Sequence, residues 1–255
     1  MSRQSVLITG ATSGIGRALA ELYQQQGFKV IAVGRNLEKL QQLESLGIQA
    51  FSCDVSSKAE VKQLCETLHN QNCSLDICIL NAGGCLYMNP QSFDSEIIVN
   101  SIQQNFFSAV YCFEALLPLM STNCTTAKNA GKAKVAFMGS LATQLPFTKA
   151  QGYGASKAAL AYFVDALRVD YSKNLSIVLI EPGFVKTPLT EKNEFDMPVL
   201  IEANDAALHI YQGLAANKKH IHFPKRLSWT LKLLNRLPIG SRHAIAMKMA
   251  QGNSS

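Results

Sequence analysis

The sequence of 255 residues has no long uninterrupted apolar run, although 47% of its residues are hydrophobic. A helix that crosses a bilayer needs about 20 consecutive apolar residues. Even the apolar stretch from Ala158 to Leu167 is interrupted by Asp165. Stretches rich in Ser, Gln or Pro are also missing, and the chain is long enough to bury a sizeable core. These absences exclude a membrane-spanning, fibrous or disordered chain and favour one globular domain.

Paired cysteine motifs are missing as well. The seven cysteines are odd in number and scattered, and none lies in a C-x-x-C pair. We therefore expect neither a disulfide framework nor a zinc site, and no metal is predicted. Residues 1–5 lead directly into a short strand-like segment, which is not the pattern of a secretory signal. We predict a cytoplasmic protein.

Acidic residues are absent after Asp205. Eight of the 24 basic residues and none of the 18 acidic residues follow it. Residues 206–255 therefore carry eight positive charges, whereas residues 1–205 carry a net charge of −2. The chain is a near-neutral body followed by a basic C-terminal segment.

Short apolar runs alternate with longer segments of helical periodicity along residues 5–180. Strands that are apolar on both faces and separated by helices are typical of a parallel sheet covered on both sides. We therefore predict an α/β fold, a single doubly wound parallel sheet of the Rossmann type with helices on both faces. The predicted strands are Ser5–Ile8, Lys29–Val33, Ala50–Cys53, Ile77–Leu80, Val135–Met138 and Ser176–Ile180, and the predicted helices are Gly14–Gln26, Leu37–Leu46, Lys58–Asn70, Ser92–Met120 and Tyr153–Ser172.

Two segments lack this alternation. Residues 121–134 read as a polar loop, and residues 186–198 follow a predicted strand end. In open α/β sheets, the loops at the carboxyl ends of the strands surround the ligand crevice. Residues 186–198 are therefore the better candidate for a lid.

A glycine-rich turn from Thr9 to Gly16 follows the first predicted strand and opens the first predicted helix. This is the context of a dinucleotide-binding loop. Its glycines let the backbone turn tightly and approach a pyrophosphate, which the N–H groups of the helix N-terminus can bind. For this motif alone, a tight turn without a ligand stays open as the alternative.

The second predicted strand ends at Val33-Gly34-Arg35-Asn36, without the carboxylate that an NAD-selective site offers to the ribose 2′-hydroxyl. The guanidinium of Arg35 can pair with a 2′-phosphate, so NADP(H) is favoured over NAD(H). A solvated surface arginine is the alternative.

Two further motifs follow the ends of the next two predicted strands, Asp54-Val55 and Asn81-Ala82-Gly83. Taken alone, each motif is typical of a helix cap or a turn. Their position at successive strand ends favours a contact with the cofactor.

Tyr153 and Lys157 lie four residues apart in a predicted helix and so share one helical face. Tyrosine has a pKa near 10, and lowering it by about 3 units takes roughly 4 kcal/mol. A partly desolvated lysine ammonium, together with the positive charge of an oxidised nicotinamide, is a source of that size. Ser140, after the fifth predicted strand, can hold a substrate oxygen against Tyr153. The alternative is a Tyr and a Lys on an exposed helix face.

With these residues in view, the sequence resembles the short-chain dehydrogenase/reductase family over about residues 5–190. The family's motifs occur in their usual order. Its T-G-x-x-x-G-I-G pattern is matched by Thr9 to Gly16, its N-A-G by Asn81 to Gly83, its catalytic Asn by Asn105, its Ser by Ser140, its Y-x-x-x-K by Tyr153 and Lys157, and its P-G-x-V-x-T by Pro182 to Thr187.

The resemblance implies a role for each matched residue. Tyr153 would be the general acid or base, Lys157 would bind the nicotinamide ribose and lower the pKa of Tyr153, and Ser140 would orient the substrate oxygen. Asn105 would hold a water that relays protons to Lys157. From the motifs and the resemblance together, the predicted cofactor contacts are Gly10, Thr12, Ser13, Gly14, Ile15, Gly16, Arg35, Asp54, Val55, Asn81, Ala82, Gly83, Tyr153, Lys157, Pro182, Gly183, Val185 and Thr187.

We therefore predict an NADP(H)-dependent oxidoreductase that interconverts a ketone or aldehyde and the corresponding alcohol. Residues 1–205 would form the Rossmann-type catalytic domain, and residues 206–255 a basic extension packed on or beside it. A non-catalytic NADP(H)-binding sensor or assembly module is the alternative. By analogy with the family, helices 105–120 and 153–172 would pair copies into a homodimer or homotetramer. A small apolar substrate is expected, with Leu141, Pro146, Phe147, Leu189, Phe195, Met197 and Leu200 as candidate pocket residues.

Residues 225–237 predict an amphipathic basic helix. Its leucines would pack on the domain or on a sister subunit, and this interpretation is favoured over docking on an anionic membrane surface, as in a lipid-carbonyl reductase. Nucleic acid is not an expected partner, because no recognition module accompanies the basic residues. On a helical wheel, Leu227, Leu231 and Leu234 lie opposite Lys225, Lys232 and Arg236.

Overall fold

Seven parallel strands form the central layer in a computed structural model that describes residues 3–120, 132–192, 197 and 199–251. The strand order is β3-β2-β1-β4-β5-β6-β7, and all neighbouring pairs are parallel. The predicted doubly wound parallel sheet of the Rossmann type is confirmed. The strands are β1 Ser5–Thr9, β2 Lys29–Gly34, β3 Gln49–Ser52, β4 Ile77–Leu80, β5 Ala133–Met138, β6 Leu175–Pro182 and β7 His220–Phe223.

Helices cover both faces of this sheet. One core includes side chains of α3, α5 and α6, and the other includes side chains of α1, α2 and α7. In the described part of the chain the α-helices are α1 Gly14–Gln25, α2 Leu37–Ser45, α3 Lys58–Asn70, α4 Ser95–Ile102, α5 Ser108–Leu116, α6 Gln151–Asp170, α7 Ala203–Ala215, α8 Lys225–Asn235 and α9 Ile239–Gln251.

β1 illustrates why the strands are apolar on both faces. Val6 and Ile8 belong to one core and Leu7 to the other, and all three are fully buried. Successive strand side chains point to opposite faces, so a sheet covered by helices on both sides needs apolar residues at every position. This is the physical basis of the continuous apolar runs in the sequence.

The predicted helix from Ser92 to Met120 is interrupted in the structure. It begins only at Ser95, where the side chain of Asp94 accepts a hydrogen bond from Glu96 N at 2.9 Å. Residues 103–107 then form a π-helical turn between α4 and α5, and a 3₁₀ turn at residues 117–119 ends the segment. π-helical turns inside helices frequently mark functional sites, and this one contains Asn105.

The C-terminal segment contributes to the sheet itself. β7 pairs with β6, and α7 packs on α1. The predicted boundary between residues 205 and 206 therefore falls within α7, and β7 was missed as a strand. Its sequence, His220-Ile221-His222-Phe223, alternates polar and apolar residues, which is typical of a strand with one buried and one partly exposed face. The alternation that indicates a strand was therefore present in the sequence, but it covers only four residues.

The two predicted loops lie partly outside the described residues. Of the polar segment 121–134, residues 121–131 are outside, and Ala133 and Lys134 belong to β5. Of the predicted lid 186–198, residues 193–196 and 198 are outside, and its described part includes a short 3₁₀ turn at residues 190–192. Within the described ranges, no helix is both long and apolar enough to cross a bilayer.

Candidate active site

The predicted site residues converge on one cleft of about 640 Å3. It lies at the carboxyl ends of the strands, where parallel sheets of this type bind ligands. Every residue predicted for catalysis or cofactor binding lines this cleft, with the exception of Gly16. Sequence positions far apart along the chain are therefore brought to a single edge of the sheet.

The glycine-rich loop connects β1 to α1. Gly10 and Gly14 have φ of 66° and 52°, in the left-handed region that favours glycine. A Cβ on Gly16 would lie 2.2 Å from the carbonyl oxygen of Gly10 and 2.5 Å from Asn81 Nδ2. Gly16 thus permits close packing of the helix on the loop and does not itself line the cleft.

The N-terminus of α1 opens onto the cleft with its N–H groups. Ser13 is the N-cap, but its side chain makes no capping hydrogen bond, and the first turn holds no acidic residue. A helix N-terminus carries a partial positive charge and backbone donors that bind phosphate. The arrangement is suited to a pyrophosphate.

Arg35 follows β2 and lines the cleft beside Asp54, which follows β3. The Nη1 atom of Arg35 lies 3.6 Å from Oδ2 of Asp54, and the Arg35 side chain is 72% exposed. Burial raises the pKa of Asp54, but hydrogen bonds from Ser56 and the charge of Arg35 outweigh burial, so its pKa lies below the usual value. Because the Arg35 side chain is largely exposed, its guanidinium remains accessible to an anion in the cleft.

Asn81 joins the ends of β4 and β1. Its side-chain Nδ2 donates to the carbonyl oxygen of Thr9 at 3.0 Å, and the N–H groups of Asn81 and Ala82 both donate to Thr9 Oγ1 at 3.0 Å. These bonds hold the two loops that border the cleft together. Asn81 therefore lines the cleft, and its side-chain amide is also hydrogen-bonded to the backbone of Thr9.

The π-helical turn between α4 and α5 presents Asn105 to the loop after β4. The Asn105 side chain is 1% exposed and forms two bonds with Gly84, accepting from its N–H at 3.0 Å and donating to its carbonyl oxygen at 2.9 Å. It also donates to the carbonyl oxygen of Ser101 at 3.0 Å. Asn105 therefore fixes Gly84 in the loop 81–84, which lines the cleft.

Tyr153 and Lys157 lie on the same face of α6, as their spacing predicts. Lys157 Nζ lies 5.8 Å from the centroid of the Tyr153 ring and donates to the carbonyl oxygen of Met138 at 2.7 Å. Ser140 follows β5 and forms a side-chain hydrogen bond with Tyr153. Two elements, α6 and the loop after β5, thus bring a phenol, a hydroxyl and an ammonium together.

Burial dominates the titration of these groups. It raises the pKa of Tyr153 to about 12, although the hydrogen bond from Ser140 acts in the opposite direction. It lowers the pKa of Lys157 to about 8, with the nearby Cys85 acting against this shift. The shift of Tyr153 is opposite to the one predicted from its lysine neighbour, because desolvation of the phenolate outweighs the other contributions.

An apolar wall lines part of the cleft. Of the predicted pocket residues, Leu141, Phe147 and Leu189 line it, whereas Pro146 and Leu200 do not, and Phe195 lies outside the described residues. Met197 is also not among the lining residues of the described part.

Sequence reasoning missed further residues of the cleft lining, among them Cys85, Tyr87, Leu227 and Leu231. Cys85 and Tyr87 follow the Asn81-Ala82-Gly83 motif directly, so their position after a strand end was an available signal. Leu227 and Leu231 come from α8, and no local pattern connects that helix to the cleft. A Cβ on Gly183 would lie 2.8 Å from Leu227 Cδ2, which demonstrates how closely α8 packs on the turn after β6.

The parallel sheet, the glycine-rich loop and the cleft together define a Rossmann-type nucleotide-binding protein. The model of the short chain dehydrogenase family matches residues 4–197, and the chain belongs to this family of oxidoreductases. The predicted family is therefore confirmed.

Two curated relatives illustrate the similarity. An uncharacterized oxidoreductase of Myxococcus xanthus (strain DK1622) is 30% identical over 245 residues, which cover 93% of this chain and 94% of the relative. The NADP-dependent 3-hydroxy acid dehydrogenase YdfG of Escherichia coli (strain K12) is 36% identical over 185 residues, covering 71% of this chain and 72% of the relative.

Solved structures agree with the fold. The closed form of serine dehydrogenase complexed with NADP+ has a TM-score of 0.75 at 28% identity and covers 86% of this chain and 94% of that structure. A short-chain dehydrogenase/reductase from Burkholderia phymatum in complex with NAD has a TM-score of 0.78 at 20% identity, covering 91% of this chain and 92% of that structure. Both structures share the fold of this chain, and one of them binds NADP+ whereas the other binds NAD.

Proposed function

We propose that this protein is an NADP(H)-dependent oxidoreductase that interconverts a ketone or aldehyde and the corresponding alcohol. The observation that carries the proposal is the convergence of Tyr153, Ser140 and Lys157 in the same cleft as the glycine-rich loop. A nucleotide-binding fold alone supports only binding. A buried phenol with a hydroxyl and an ammonium beside it also supports proton transfer.

The residues of the cleft fit the dinucleotide. Gly10 and Gly14 of the glycine-rich loop line the cleft, and the uncapped N–H groups of α1 would bind a pyrophosphate there. Arg35 would pair with a ribose 2′-phosphate, which supports NADP(H) over NAD(H). When bound, the nicotinamide supplies or accepts the hydride.

The protein's own residues would handle the proton. With a pKa of about 12, the phenol of Tyr153 is protonated at neutral pH, which is the form that donates to a carbonyl oxygen during reduction. Ser140 would orient that oxygen. With a pKa of about 8, Lys157 is mostly charged at pH 7 and would stabilise the phenolate that remains. The water-holding role that the resemblance implies for Asn105 stays a prediction.

The lining of the cleft supports an apolar substrate. The apolar side chains of Leu141, Phe147, Leu227 and Leu231 line the cleft that also holds Tyr153 and Ser140. These side chains offer no charge to a carboxylate or phosphate on the substrate, and burying apolar groups there is favourable. We therefore infer a small apolar carbonyl compound, or the matching alcohol in the reverse direction.

Tyr153→Phe tests this function. The variant keeps the ring and removes the proton donor, so we expect the rate of NADPH oxidation with any active ketone to fall at least about a hundredfold. Turnover is measured with purified protein and a panel of ketones. NADPH binding, followed by fluorescence titration, should be retained.

The same experiment separates the enzyme from a non-catalytic NADP(H)-binding module. If the unmodified protein binds NADPH but oxidises it with no ketone or aldehyde of the panel, the sensor or assembly module is the better description. If the variant turns over as fast as the unmodified protein, Tyr153 is not the acid.

We further propose that the protein assembles into a homodimer or homotetramer. Tyr162 and Val169 of α6 are 80% and 76% exposed, and they lie seven residues apart on one side of the helix. Two large exposed groups on one helix face support a subunit contact.

A further inference from the structure

α8 has an inner face that packs on the domain. Leu227, Leu231 and Leu234 lie on one side of the helix and form a cluster with Leu141 and Leu145. Leu231 is 6% exposed, and both Leu227 and Leu231 line the cleft. The leucines that make the sequence amphipathic are therefore already used in the fold.

The outer face of α8 carries a second apolar pair. Trp229 and Leu233 lie four residues apart, one turn along the helix, and are 64% and 66% exposed. Leu237 and Ile239, which follow the helix, are also exposed. An exposed tryptophan beside polar groups is typical of residues that sit at a membrane–water interface.

Cations surround this pair. On a helical wheel with 100° per residue, four cations lie within an arc of about 120° around the helix axis: Lys225, Arg226, Lys232 and Arg236. Trp229 and Leu233 lie inside that arc. Lys232 Nζ lies 5.9 Å from the centroid of the Trp229 ring. Because no acidic residue follows Asp205 in the sequence, no neighbouring carboxylate along this segment neutralises them.

We propose that the outer face of α8 binds the surface of an anionic lipid bilayer. Trp229 and Leu233 would enter the interfacial region, while the flanking lysines and arginines would contact lipid phosphates. Apolar insertion and positive charge are both needed, and the two coincide on this face. Because a helix is about 10 Å thick, docking would hold the cleft wall formed by Leu227 and Leu231 within one helix diameter of the membrane.

The single tryptophan of the sequence reports this contact directly. We would add vesicles of phosphatidylglycerol or of phosphatidylcholine to the full chain and record Trp229 emission and co-sedimentation. A blue-shifted emission and sedimentation with phosphatidylglycerol alone, both reversed by added salt, are expected. Equal binding to phosphatidylcholine, or no binding to phosphatidylglycerol at low salt, would overturn the proposal.

Two variants test the two components. Leu233→Glu puts an acid into the apolar pair and should reduce vesicle binding and the blue shift. The double variant Arg226→Gln, Arg236→Gln should weaken binding about fivefold for each cation removed, or about 25-fold together. Neither variant alters a residue of the active site, so NADPH turnover with a water-soluble ketone should stay unchanged.

Matched controls make the same chemical changes elsewhere on the surface. Leu208→Glu alters an exposed leucine of α7, and the pair Lys62→Gln, Lys173→Gln removes two exposed cations. The controls should bind vesicles like the unmodified chain. If the controls weaken binding as much as the α8 variants, or if the α8 variants change the oligomeric mass in light scattering and leave vesicle binding intact, the face does not bind lipid.

Discussion

At the residue scale, Lys157 connects burial with the pH range of the proposed reaction. Its ammonium is buried on α6, bonded to the carbonyl oxygen of Met138 and close to the Tyr153 ring. Desolvation disfavours the charged form of a lysine and so lowers its pKa, here to about 8. Below that pH the ammonium is present to stabilise a phenolate, and above it the lysine is neutral.

The sign of the pH dependence follows from this. We expect kcat/KM for ketone reduction to be level below about pH 8 and to decrease above it, by up to about tenfold per pH unit. The measurement is the rate of NADPH oxidation across about pH 6 to pH 10, with NADPH affinity determined at each pH as the control. A profile that stays level up to pH 10 would contradict a role for the Lys157 charge.

Arg35 is the residue on which the cofactor preference depends. Replacing it by Glu removes the proposed partner of the 2′-phosphate and adds a like charge. A hydrogen bond to a charged group contributes about 1.5–3 kcal/mol, so we expect the ratio of kcat/KM for NADPH to that for NADH to fall at least about tenfold.

The matched control is Lys62→Glu, which makes the same charge change at a 78% exposed side chain of α3. Kinetics with both cofactors are measured for each variant. A ratio that is the same in Arg35→Glu as in the control would show that Arg35 is only a solvated surface residue.

At the scale of elements, α8 holds one buried and one exposed leucine. Leu231 packs with Leu141 and Leu145 and lines the cleft, whereas Leu233 is 66% exposed. Replacing each leucine by alanine therefore gives a test of packing, Leu231→Ala, and a matched control, Leu233→Ala. Both substitutions lie in one helix and change the helix propensity by nearly the same amount.

We expect Leu231→Ala to lower the free energy of unfolding by about 2–4 kcal/mol, because it removes buried methyl groups and leaves a cavity. Leu233→Ala should stay within about 0.5 kcal/mol of the unmodified protein. Urea unfolding followed by circular dichroism measures both. Equal effects of the two substitutions would mean that α8 does not pack on the domain as described.

At the scale of the whole molecule, two of the surfaces that expose apolar groups are proposed as binding surfaces. One is the outer face of α8, and the other includes Tyr162 and Val169 of α6. The two surfaces are proposed for different partners, a lipid surface and a second copy. The cytoplasmic location stays a prediction, and it is compatible with either contact.

The double variant Tyr162→Glu, Val169→Glu tests the assembly. Two buried carboxylates in a subunit contact would oppose association, so we expect the mass from light scattering to fall to that of a monomer. Leu208→Glu, an acid on the exposed side of α7, should leave the mass unchanged. An unaltered mass in the double variant would exclude α6 as the contact.

Much of the fold and of the site followed from local sequence patterns. The glycine-rich motif from Thr9 to Gly16 stands between an apolar run and a segment of helical periodicity, so the sequence predicted its position between β1 and α1. In the same way, the spacing of Tyr153 and Lys157 predicted one helical face. These features depend on backbone conformation and periodicity over a few residues, which the sequence contains directly.

Other features were decided by contacts between distant elements. The sequence did not predict that α8 would form a wall of the cleft, that β7 would extend the sheet, or that a π-helical turn would hold Asn105 against Gly84. Nor did it predict the pKa of Tyr153, since its direction depends on how completely the packed protein excludes water from the phenol. Periodicity and motifs are short-range properties of the chain, whereas burial and desolvation arise only when the elements pack together.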